Sequence, residues 1–149
     1  MNKLGKNLKL LLVIGMIIFI PFIITSPLLL QHTSKLIYSM FIIYPNGLLM
    51  TIIMYQFIKL FKSLENNNPF SYNNVKTLKT TSIVSLIMSI LWFIDLLFMI
   101  FIIKNTYINY IIVLIFLSVL FLGVSISLYI LSELFKQATD YKEENDLTI

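Results

Sequence analysis

The sequence predicts an all-α membrane protein of four transmembrane helices with both termini in the cytoplasm, and three observations predict it. Hydrophobic residues make up 58% of the chain and charged ones only 12%, against roughly 25% charged in soluble domains. A soluble core of 149 residues cannot hide that much apolar surface, so lipid is the solvent. Charges also cut the chain into four long runs: 10–34, 36–58, 80–103, where Asp95 is the one charge, and 105–132. Each exceeds the ~20 residues with which a helix crosses a ~30 Å hydrocarbon layer. Finally, the lysines are lopsided. Lys3, Lys6 and Lys9 precede the first run, Lys59, Lys62, Lys76 and Lys79 divide the second from the third, and Lys136 and Lys142 follow the fourth. Lys35 and Lys104 alone fall on the opposite side. Positive residues are retained in the cytoplasm, which orients the chain.

These runs define one domain over 1–149, with spans at about 10–31, 36–58, 80–103 and 107–131, a cytoplasmic loop at 59–79 and a cytoplasmic tail at 132–149. In lipid every backbone group must be satisfied within its own segment, so the spans are helices. Span 1 is too long for a signal-peptide core, and no small-residue cleavage site follows it. Its Pro21 withholds a backbone donor from Ile17; Pro45 does the same to Phe41 in span 2. The outer turns, QHTSK (31–35) and KNT (104–106), are too short for an external domain. A histidine in the first turn, His32, is a candidate sensor of external pH, but a loop histidine without a role is the simpler reading.

At 100° per residue span 3 divides into two faces. Thr81, Ser82, Ser85, Ser89, Trp92, Asp95 and Met99 share one arc of roughly 140°. Ile83, Ile87, Ile90, Ile94, Leu97, Phe98 and Phe101 occupy the other side, which suits acyl chains. Small residues let helices approach closely, so the serines read as packing surface rather than a binding stripe. Span 4 repeats the device: Ser118, Ser125 and Ser132 recur every seven residues. Span 2 gathers Asn46, Gly47, Met50, Thr51, Met54 and Tyr55 on one half of its surface.

Asp95 interrupts SILWFIDLLFMIF (89–101). A mid-span aspartate costs roughly 2.5–3.5 kcal/mol on insertion scales, so it faces other helices and takes a partner. No lysine lies at its depth, which favours the neutral acid, a hydrogen-bond donor. Counting inward at ~1.5 Å per residue puts Asp95 about 12 Å deep, Phe41 about 8 Å and Asn46 about 15 Å. Asp95 is therefore expected to bridge to the Phe41 carbonyl or the Asn46 amide, with Asn46, Asp95 and Ser89 as the candidate intramembrane polar site. The competing reading is a proton or cation relay in an oligomeric transporter or channel. Relays commonly recruit further polar groups along a path, and four helices are few for an inverted-repeat transporter.

The chain has no cysteine and one histidine. Disulfides, thiol nucleophiles and multi-histidine metal sites are thereby excluded within one chain. A lone membrane acid lacks the paired carboxylate or nucleophile–base set that enzymes use. The expectation is no enzyme, no cofactor, and no catalytic or metal-binding residue.

On the cytoplasmic side, KLFKSLENNNPFSYNNVKTLKTT (59–81) continues span 2 and breaks at Asn66-Asn67-Asn68-Pro69, with Ser71 or Asn73 as the next cap. Its lysines and aromatics read as a juxtamembrane segment among lipid headgroups, not as a nucleic-acid surface. The tail sets Leu134, Phe135, Ala138 and Tyr141 at helical spacing, so span 4 continues as a cytoplasmic amphipathic helix. Glu143, Glu144 and Asp146 make its end acidic, a candidate partner-binding tail.

NPFSYNNVKTLK (68–79) and ELFKQATDYKEENDLTI (133–149), together with the four spans, resemble the YoaS-like bacterial membrane proteins, a domain of unknown function (number 2975). Glu143 to Ile149 carry the most specific part of the likeness, and Pro69, Phe70 and Asn74 also fit. Asn68 and Ala138 stand where the family pattern has glycine. The resemblance implies a multi-pass plasma-membrane protein, often encoded beside a small helix-turn-helix regulator, with no established activity. The function expected is a non-enzymatic interaction or regulatory protein binding a cytoplasmic partner such as that regulator. Immunity against a membrane-active peptide is a related expectation. Lipid bilayer and a second copy of the chain are the further expected partners.

Overall fold

A computed structural model describes residues 3–29, 36–103 and 108–147. Four helices account for nearly all of them: α1 (Lys3–Leu29), α2 (Leu36–Glu65), α3 (Tyr72–Phe98) and α4 (Ile108–Leu147), with a π-helical turn at Met99–Ile103 after α3. Each helix contains a stretch long and apolar enough to cross a membrane, and no strand occurs among the described residues. The outer turns with His32, Lys35 and Lys104 lie outside the described residues, as does the side chain of Asp146.

The helices overrun the apolar runs at the charged end. α2 reaches Glu65, α3 begins at Tyr72, and α4 spans 40 residues, about 60 Å at 1.5 Å per residue and twice the hydrocarbon thickness. Only six residues, 66–71, separate α2 from α3. Asparagine explains how so short a connection closes. Asn67 adopts a positive φ of 54°, a left-handed conformation that asparagine tolerates. Its N–H donates to the Leu64 carbonyl, and the Asn68 N–H donates to that of Ser63, each at 3.1 Å. That pair of bonds is a Schellman closure satisfying the last carbonyls of α2. Ser71 then takes the extended N-cap conformation and its side chain accepts from the Asn74 N–H, opening α3.

Packing follows chain order: α1 lies on α2, α2 on α3, and α3 on α4. Between α1 and α2 the backbones nearly touch. A Cβ on Gly5 would meet the Glu65 nitrogen at 2.7 Å, and one on Gly47 would meet Ile23 Cδ1 at 2.8 Å. Gly5 is required because the backbone of Glu65 occupies the side-chain space, whereas a Cβ at Gly47 would force the Ile23 side chain to shift.

Between α3 and α4 the contact is serine on backbone. Ser89 Oγ donates to the Ser118 carbonyl at 2.8 Å and Ser118 Oγ returns a bond to the Ser89 carbonyl at 3.2 Å. Ser125 Oγ donates to the Ser82 carbonyl at 2.8 Å. Ser82, Ser85, Ser89, Ser125 and Ser132 are buried as their spacing implies, Ser85 and Ser132 completely, and Ser118 is half-buried. The seven-residue stripe of α4 extends one step further, to buried Thr139. Opposite this seam α3 exposes Ile83, Ile87, Ile90, Ile94 and Leu97, and the π-helical turn exposes Phe101, whereas Phe98 is half-buried.

The stripe also corrects the reading of the tail. Leu134 and Tyr141, 54% and 71% exposed, point away from the protein. The buried side of this segment is instead Ser132 and Thr139, with Phe135 packed on Phe70 at a ring-centroid distance of 5.4 Å. The register of α4 on α3 is set inside the apolar stretch and carries past it, so it decides which tail residues face inward. An apolar cluster of Leu60, Leu78 and Leu128, one from each of α2, α3 and α4, lies just below.

Candidate functional site

Two places hold polar side chains in arrangements that packing alone does not require. One is deep within the apolar stretches. α2 carries through Pro45 without a break and presents Asn46, 4% exposed, toward α3. Asn46 Nδ2 donates twice: to the Ile42 carbonyl at 2.9 Å, one turn back, and to Asp95 Oδ2 at 3.0 Å. Of the two partners expected for Asp95, the Asn46 amide is the one it meets. Asn46 Oδ1 is buried and has no partner among the described residues, and the same holds for Trp92 Nε1, one turn before Asp95 on α3.

Ser89 does not join this pair. Its hydroxyl is spent on Ser118 of α4. The reason is angular: six residues at 100° set Ser89 about 120° from Asp95, far enough to face a different neighbour. The three candidate residues therefore divide into an Asn46–Asp95 pair between α2 and α3 and a Ser89–Ser118 pair between α3 and α4.

The other place is the charged end, where the loop and the end of α4 are tied to each other. The Tyr72 hydroxyl donates to Asp140 Oδ1 at 2.6 Å, and Lys142 Nζ reaches Asn68 Oδ1 at 3.4 Å. Bonding to the Asp140 carboxylate, with some burial and the charges of Asp140 and Glu143, pushes the Tyr72 hydroxyl up to about 12. Asn74, 2% exposed, organises the loop from within. Its Nδ2 donates to the Pro69 carbonyl at 2.6 Å and to Ser63 Oγ at 2.7 Å, with a longer contact to the Asn68 carbonyl at 3.3 Å. Lys9 of α1 pairs with Glu65 at the end of α2. The hydrogen bond from Lys9 holds the Glu65 carboxyl below its ordinary range; partial burial opposes this, and the charges of Lys9, Lys6 and Lys62 support it.

Of the acidic tail, Glu143 and Glu144 are exposed on the last turns of α4. Tyr72, Asp140, Lys9 and Glu65 were not among the residues that the sequence singled out. Their partners lie 68 and 56 positions away, and no local pattern announces such pairs. The Asn74 role did have a local signal, an asparagine just inside a helix that follows an Asn-Pro break.

Among the described residues no group of three or more histidine, cysteine, aspartate or glutamate side chains could hold a metal ion. What the arrangement supplies is a polar clasp inside the apolar region and a hydrogen-bonded polar surface outside it. The model of a family described as "Protein of unknown function (DUF2975)" matches residues 6–149. No curated protein and no solved structure matches the chain.

Proposed function

The chain belongs to the DUF2975 family of proteins of unknown function, and from that premise we propose that it is a non-enzymatic interaction protein of the bacterial plasma membrane. In this reading the termini, the 66–71 loop and the end of α4 face the cytoplasm, as the lysine distribution favours. The observation that carries it is the joining of loop and tail into one surface. Tyr72–Asp140, Lys142–Asn68 and Phe70–Phe135 fix the loop against α4, beside exposed Tyr141, Glu143 and Glu144. A pre-organised surface loses little conformational entropy on binding.

Its acidic end suits a partner with a basic face, and a small DNA-binding regulator is such a partner, since phosphate contact demands lysine and arginine. Bound to the tail, that regulator would be withheld from DNA. The test is affinity capture with the full chain and with a chain ending at Tyr141. Recovery of a basic regulator by the first and not the second supports the proposal; identical recovery by both discards it.

The Asn46–Asp95 pair favours a second reading, an oligomeric small-ion transporter built around Asp95. Proton flux into liposomes, compared between the wild type and Asp95→Asn, separates the two. Flux that is negligible in both leaves Asp95 a structural residue.

A further inference from the structure

The hydrogen-bonding capacity around Asp95 is incomplete in a way that specifies a ligand. Asn46 is almost wholly buried, and both hydrogens of its Nδ2 are used, on Ile42 and on Asp95. Among the described residues its Oδ1 is an acceptor with no donor, and Trp92 Nε1 is a buried donor with no acceptor. Trp92 and Asp95 are three residues apart on one helix, so they occupy adjacent positions on the same side of α3. A buried polar atom left unmet costs about 1–3 kcal/mol, and here the unmet acceptor belongs to the residue bonded to Asp95 and the unmet donor to the residue one turn before it.

The chemistry of the three groups narrows the class of ligand. A bare metal cation would suit Asn46 Oδ1 and Asp95, but it cannot accept the indole N–H. An anion would suit the indole but has no hydrogen to give to Asn46 Oδ1. A hydroxylic molecule donates and accepts at once, and buried waters typically make about three hydrogen bonds to otherwise unmet polar groups.

We propose that Asn46 Oδ1, the Asp95 carboxyl and Trp92 Nε1 together bind one water molecule between α2 and α3. The water donates to Asn46 and accepts from the Trp92 indole. Toward Asp95 it donates to a carboxylate or accepts from a carboxylic acid, so the site serves either protonation state without moving a helix. Its presence gives the single acid of the spans a hydrogen-bond partner beyond the protein. Neither the tail nor a partner protein enters this inference, so it stands or falls separately from the interaction proposal.

Trp92 is the only tryptophan, so indole emission from the full chain in phospholipid nanodiscs reports this site alone. Replacing H2O with D2O is expected to raise the emission intensity of the wild type. In Asn46→Leu the emission is expected to move to the blue and the solvent-isotope response to vanish. A wild type that ignores D2O overturns the proposal, because the indole is then dry. An isotope response of the same size in Asn46→Leu also overturns it, because the water is then elsewhere. Emission that shifts on adding sodium or potassium at constant ionic strength does so too, in favour of a cation. If Asn46→Leu loses its helical circular dichroism, Asn46→Val replaces it, and the wild-type isotope and salt responses stand regardless.

Discussion

Asn46 donates through Nδ2 to Asp95 Oδ2 across 3.0 Å and ties α2 to α3 within their apolar stretches. A double-mutant cycle between Asn46→Leu and Asp95→Leu, read by unfolding in mixed micelles, is expected to give a coupling of about 0.6–1.7 kcal/mol, the range of interhelical hydrogen bonds in membranes. Asp95→Asn retains an acceptor and should stay close to wild type. Strict additivity of the two single changes would show that the bond contributes nothing.

Leu78 is 2% exposed and sits where α2, α3 and α4 meet. Leu78→Ala should destabilise the protein by about 2–5 kcal/mol, since the surrounding helices close only partly over the lost volume. Leu134→Ala, on the outer side of α4, should change stability by less than about 0.5 kcal/mol. Equal losses for the two would contradict the register described for α4.

Asn74 fastens the 66–71 loop through the Pro69 carbonyl and Ser63. Asn74→Ala removes the donor to both, at a cost of about 0.5–1.5 kcal/mol per lost hydrogen bond, and the effect should be local. Amide hydrogen exchange is expected to accelerate across 66–71 while the α3–α4 seam stays protected. Unchanged exchange in the loop argues against the staple.

Acid should loosen α1 from α2. Lys9 lowers the Glu65 pKa below its reference of 4.5, so the carboxylate's contribution is complete above that reference and is lost as pH falls through the lower folded value. Distances between spin labels on the charged ends of α1 and α2 should lengthen over that interval in the wild type. In Glu65→Gln they should not depend on pH there. Identical acid profiles would remove Glu65 from the account.

Much of the architecture was legible because its causes are local or nearly so. Uncharged runs longer than a bilayer is thick have one economical conformation. Asn-Asn-Asn-Pro stops a helix, and Ser71 starts the next. Serines seven apart on α4 share a face. The candidate site was legible in part. Asp95 required a polar neighbour at its depth, and counting residues brought Asn46 into range. Ser89 was grouped with them because an arc of roughly 140° is wide enough to touch two helices, and only packing shows where one contact ends and the next begins.

The sequence by itself determined that the chain consists of four lipid-compatible helices, that the second breaks at Asn-Asn-Asn-Pro, and that the acid of the third turns inward. These follow from transfer free energy, backbone hydrogen bonding and helical periodicity, which act over a few turns of chain. Tertiary structure alone decided which neighbours meet: Asn46 rather than Phe41 for Asp95, Ser118 for Ser89, Asp140 for Tyr72, Glu65 for Lys9. Partners so distant in sequence are chosen by the order and rotational setting of packed helices, and in lipid that choice rests on close fit and interhelical hydrogen bonds rather than on hydrophobicity.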